Sequence, residues 1–86
     1  MNFKFSSHAL EEMERRGIAL EMLESVLYFP QQVVAERDGK KAYQSQIDFG
    51  GGRIYLLRAI VNDALDPAIV ITVYRTRNIP KYWRSE

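Results

Sequence analysis

Apolar and polar positions change their period part-way along the chain. From residue 8 to residue 28 apolar side chains recur three and four apart, as on a buried helix face. From residue 32 onward they alternate, as on strands with one face packed and one face open. The first helix is expected over His8–Arg16, with Ala9, Leu10 and Met13 turned to the core. Ser6 or Ser7 supplies its cap, since a serine oxygen accepts from the exposed N–H groups of the first turn. Glu11, Glu12 and Glu14 come early and Arg15 and Arg16 late, which suits the helix dipole. Gly17 fits the left-handed position that closes a helix.

A second helix is expected from Ala19 to Tyr28, with Leu20, Leu23, Val26 and Leu27 on one face and Pro30 ending it. Ala19 stands where a capping side chain is usual, a loss of about 1 kcal/mol. A short strand, Asn2–Phe5, precedes the helices. After them the alternation predicts strands at Gln32–Arg37, Ala42–Phe49, Arg53–Val61 and Ala68–Tyr74. Asp38-Gly39 and Gly50-Gly51-Gly52 make the turns, and Asn62–Pro67 a loop. Ala68–Tyr74, rich in Ile, Val and Thr, reads as a central strand. The tail RTRNIPKYWRSE is basic and aromatic, without a period.

These elements predict one α+β domain over residues 1–86. Two N-terminal helices pack on one face of a three- to five-stranded, mainly antiparallel sheet. On the strand from Arg53 to Val61, Tyr55, Leu57, Ala59 and Val61 share one face, and Ile54, Leu56, Arg58 and Ile60 the other. The second face thus carries apolar residues together with an arginine. A partner, a ligand groove or the tail folding back are the three ways to cover it.

Composition narrows the chemistry. The 86 residues hold no cysteine, which excludes disulfides, zinc–thiolate sites and thiol nucleophiles. One histidine and scattered carboxylates argue against a metal site, and no cofactor is expected. No stretch approaches the roughly 20 apolar residues of a membrane span, and no signal peptide is visible, so a cytoplasmic protein without membrane contact is expected. Twelve basic and eleven acidic side chains are too balanced for strong nonspecific binding to nucleic acid. The charge is uneven, however: residues 1–49 hold six Lys/Arg against eight Asp/Glu, and residues 50–86 six against three.

The segments HALEEMERRGI and VITVYR resemble a widespread bacterial family of small domains with the signature H-A-x-x-R-M-x-x-R-G-I and a late T-V-Y strand, related to RelE-like toxins of the barnase/RelE-type fold. His8, Ala9, Met13, Arg16, Gly17 and Ile18 fall on the first motif, and Thr72, Val73 and Tyr74 on the second. Glu12 replaces the motif's first arginine. The resemblance implies a RelE-like toxin of a toxin–antitoxin pair that cleaves RNA without a metal, with an antitoxin and RNA or the ribosome as partners.

Such cleavage needs a base for the 2′-hydroxyl, an acid for the leaving oxygen and cations for the phosphorane charge. His8, Arg58 and Tyr74 are the catalytic candidates; Arg16, Tyr43, Arg75, Lys81 and Tyr82 are the candidates for holding substrate. Each has a structural reading too. His8 starts a helix, Arg16 pairs with a glutamate, Arg58 pairs with Glu36 or Asp48, and Tyr82 packs the tail onto the sheet. The residues therefore leave three readings open: a metal-independent endoribonuclease, a non-enzymatic module that binds a protein or forms a homodimer, or a domain that binds RNA without cleaving it.

Overall fold

The computed structural model describes residues 2–85. The domain expected over residues 1–86 thus has Met1 and Glu86 outside the described residues. The order is β1 (Phe3–Phe5), α1 (Ser7–Arg15), α2 (Leu20–Tyr28), β2 (Gln32–Ala35), β3 (Lys41–Asp48), β4 (Ile54–Asn62), β5 (Ala68–Thr76) and α3 (Ile79–Tyr82). The fold is α+β, with one five-stranded sheet in the order β1-β5-β4-β3-β2. β2 to β5 form an antiparallel meander, and β1 joins the far edge parallel to β5. Parallel pairing needs a long crossover, which here is the whole of the chain between them.

α1 is delimited by the residues its sequence suggests. Ser6 is the cap: its hydroxyl accepts from Ala9 N–H at 2.9 Å and donates to the Ile71 carbonyl at 2.7 Å. One side chain thus ends the helix and ties it to β5. At the other end Gly17 has φ +62, its N–H donates to the Glu14 carbonyl, and Ile18 N–H donates to the Met13 carbonyl at 2.8 Å. That is the Schellman closure. α2 begins at Ala19 with no side-chain cap, as expected.

α1 packs over β5 and α2 over β3 and β4. Between helices and sheet lie Ala9, Met13, Leu23, Val26 and Leu27 against Tyr43, Leu57, Ala59, Val61, Val70 and Val73. Val70 and Val73, three apart in one strand, both face this core because β5 bulges. Ile60 pairs with Thr72 and Val61 with Val70, leaving Ile71 as the extra residue. Its carbonyl is the one Ser6 takes. Beyond the bulge Val73 and Arg75 follow the helix face, while Thr72 and Tyr74 turn to the other. Among the described residues no helix is long and apolar enough to cross a membrane.

Candidate functional site

The face away from the helices is crossed by a polar row. Strand register places Gln32, Gln44, Arg58 and Tyr74 side by side on β2, β3, β4 and β5. Arg58 sits here because β4 alternates and its neighbours Leu57 and Ala59 point to the core. Its side chain is only 3% exposed. Nε donates to Gln44 Oε1 at 2.8 Å, one terminal nitrogen to the Tyr74 hydroxyl and the other to Glu36 Oε2 at 2.9 Å. A buried guanidinium is costly unless paired and hydrogen-bonded, and this one is both. Of the two carboxylates expected for it, Glu36 is the partner.

The tail covers this row. α3, absent from the sequence reading, turns residues 79–82 back over the sheet, and the Tyr82 ring centre lies 4.2 Å from the Arg58 guanidinium carbon. Tyr74 and Tyr82 meet edge to face at 6.1 Å. Gln44 Nε2 donates to the Tyr82 carbonyl at 3.2 Å and to Gln32 Oε1 at 2.8 Å. Gln32 Nε2 donates to the Arg84 carbonyl at 2.6 Å, and Arg84 N–H donates back to Gln32 Oε1 at 3.1 Å. Burial pushes the Tyr74 hydroxyl to a higher pKa, against the pull of Arg58. It is a neutral phenol at neutral pH.

The remaining candidates lie apart from this cluster. His8 is exposed in the first turn of α1, on the helix side of the sheet, so the structure brings Arg58 and Tyr74 together and leaves His8 elsewhere. Tyr43 is also on the helix side: its hydroxyl donates to Asp63 Oδ2 at 2.9 Å, and burial first, then Asp63, pushes its pKa to about 12. Arg16 donates to Glu12 Oε1 at 2.8 Å. Glu12, where the resemblance has an arginine, takes both Arg15 and Arg16, and their hydrogen bonds hold its carboxyl at a pKa of about 2. Lys81 is exposed, its ammonium 5.2 Å from the Tyr82 ring centre.

Arg75 belongs to a second cluster. At the hairpin end of β3 and β4, its guanidinium lies over Phe49 at 4.4 Å and Tyr55 at 4.7 Å. Arg77 lies 5.3 Å from the Tyr55 ring. Phe49 and Tyr55 meet edge to face at 5.3 Å. Arg77 beside the hydroxyl lowers the Tyr55 pKa, burial opposes it, and the charges of Arg75 and Arg53 add smaller lowering effects. Among the described residues none of these three arginines is in an ion pair. Cations stacked on aromatics with no carboxylate partner form an anion-accepting surface. Of this group only Arg75 was singled out from the sequence. The signal for Arg77 was present in the two-residue spacing of Arg75 and Arg77, which sets both on one side of a strand. Tyr55 and Phe49 read as ordinary core positions. Among the described residues no group of three or more His, Asp or Glu side chains is placed to hold a metal ion.

No curated protein matches the chain, and neither does any solved structure. One family profile does match, over residues 5–75, from the last residue of β1 to Arg75 on β5. The chain therefore belongs to the family described as a domain of unknown function, DUF4258.

Proposed function

We propose that this domain is an RNA-directed, RelE-like toxin that cleaves RNA without a metal and is restrained by an antitoxin. The observation that carries the reading is the pair Arg75 and Arg77 on the rings of Tyr55 and Phe49, cations without carboxylate partners on an aromatic base, with the charge of Arg53 near enough to be felt at Tyr55. Single-stranded RNA is bound by such pairings: arginines take phosphates and aromatic faces take bases. The reading places the reacting phosphate here and not at Arg58, whose guanidinium is engaged within the fold.

The chemistry needs no cofactor. The 2′-oxygen attacks the adjacent phosphorus, the bond to the 5′-oxygen breaks, and a cyclic phosphate remains. The arginines stabilise the charge that gathers on the phosphorane oxygens. Tyr55, beside the Arg77 guanidinium, is the group suited to take the proton from the 2′-hydroxyl, and a proton passes to the leaving 5′-oxygen as its bond to phosphorus breaks. The test is binding and cleavage of labelled single-stranded RNA, with growth arrest on induced expression as the cellular measure. Wild-type protein binds with an affinity that falls steeply with salt. Salt-independent or undetectable binding overturns the reading.

A second reading has its own support. Phe29 is 83% exposed at the end of α2, next to exposed Tyr28, and Glu21 and Glu24 line the same shallow groove. An acid-rimmed apolar surface suits a protein partner, either an antitoxin or, for a module with no RNase activity, its sole ligand. RNA left intact by a protein that forms a tight complex through this surface selects the second reading.

A further inference from the structure

The carboxyl-terminal strap is held to the sheet by a pairing whose polarity is dictated from below. Arg58 has only donors, so the amide oxygen of Gln44 must face it. The Gln44 nitrogen then faces Gln32 and fixes the Gln32 oxygen toward it. Gln32 is thereby left presenting a donor and an acceptor side by side to whatever lies above. In this structure the N–H and carbonyl of Arg84 answer them, while the Tyr82 ring lies on the Arg58 guanidinium.

A planar ring on a guanidinium, with an adjacent donor and acceptor read by a glutamine amide, is the pattern by which proteins hold an unstacked nucleobase. We propose that this place is a nucleobase site, filled in cis by the strap. A groove of about 530 Å³ already opens beside Gln32, between residues 31–34 and the strap residues 83–85. The charge favours a base over a phosphate here: Glu36 already neutralises Arg58, so no net positive charge is left for an anion. The matched family region ends at Arg75, so the strap lies beyond it, on top of a row that lies within it. The strap is thus an autoinhibitory cover, and binding requires it to lift. The proposal deepens the RNA-directed reading and rests on it for the source of the base.

The test titrates the full chain with AMP and with ribose 5-phosphate, which has no base. Trp83, the only tryptophan, reports strap movement by its emission, and the side-chain amide signals of Gln32 report the site by NMR. AMP should move both signals and ribose 5-phosphate neither. Tyr82→Ala, which loosens the cover, should bind AMP about tenfold more tightly, because less of the protein is held in the closed form. Gln32→Leu should abolish the response. An oligoadenylate that acts at lower concentration than AMP identifies RNA as the source, and equal or weaker action identifies a free nucleotide. The double variant Arg75→Ala/Arg77→Ala should keep the AMP response while losing oligonucleotide affinity, which separates this site from the arginine cluster. Signals unmoved by AMP, or moved equally by ribose 5-phosphate, overturn the proposal. So does displacement of the strap by a free peptide of residues 79–86 but not by AMP, which would assign a peptide site.

Discussion

Single side chains in this domain carry more than one duty, and their substitution should read accordingly. Ser6 both caps α1 and takes the spare carbonyl of Ile71. Ser6→Ala should cost about 1–2 kcal/mol by chemical denaturation, the upper part of the range for a cap, because it also leaves the Ile71 carbonyl without its hydroxyl donor. Glu12 carries its effect in pH. Its folded-state pKa is lowered from 4.5 to about 2, so its stabilising contribution is present above 4.5 and is lost as pH falls toward 2. Wild type should therefore exceed Glu12→Gln in stability at neutral pH, and the gap should close over that acidic window in thermal melts. Arg58→Ala should destabilise by about 2–4 kcal/mol, since Glu36, Tyr74 and Gln44 lose their common partner. On the proposed toxin reading, a loss of growth arrest in that variant reports folding, and urea denaturation run in parallel will show it.

At the scale of elements, α1 and β5 make the instructive pair. The limits of α1 were legible because a serine cap, early glutamates, late arginines and a terminal glycine act within a turn or two of the residues they serve. Gly17→Ala should cost about 1–2 kcal/mol, the price of an L-residue at φ +62, read as a lower denaturation midpoint with unchanged slope. β5 was placed correctly as a strand beside β4. Its bulge was not legible: Ala68 to Thr76 is apolar or β-branched almost throughout, so the residues do not say which of Val70, Ile71 and Val73 face the core. The partner strand and Ser6 decide it. The bulge in turn sends Tyr74 to the polar row and Arg75 to the other face.

Across the whole molecule, the two faces of the sheet divide the candidate chemistry. Arg58 on the far face was foreseen from alternation in β4, as was a carboxylate partner, Glu36 or Asp48, of which the fold uses Glu36. The cover over it was one of three foreseen possibilities, and the tail is the one realised. The arginine cluster was not foreseen, because Phe49, Tyr55, Arg75 and Arg77 meet only when three strands are laid in register. Arg75→Ala/Arg77→Ala should weaken binding of single-stranded RNA about tenfold at low salt and flatten its salt dependence, measured by fluorescence anisotropy. On the proposed ribonuclease reading, Tyr55→Phe should leave binding nearly intact and slow cleavage about 100-fold, measured on a labelled oligonucleotide.

The amino-acid sequence by itself determined the local grammar: where both long helices begin and end, which residues alternate along the strands, and that one strand face would bury an arginine in need of a partner. These rest on interactions a few residues long, so a short window contains their cause. Only the tertiary structure decided the parallel docking of β1, the bulge in β5, the strap over Arg58 and the meeting of Arg75 and Arg77 on Tyr55. The bonds behind them join residues far apart, as Ser6 to Ile71 and Gln32 to Arg84 do. Their geometry exists only after the strands have paired and the sheet has chosen which face the helices cover.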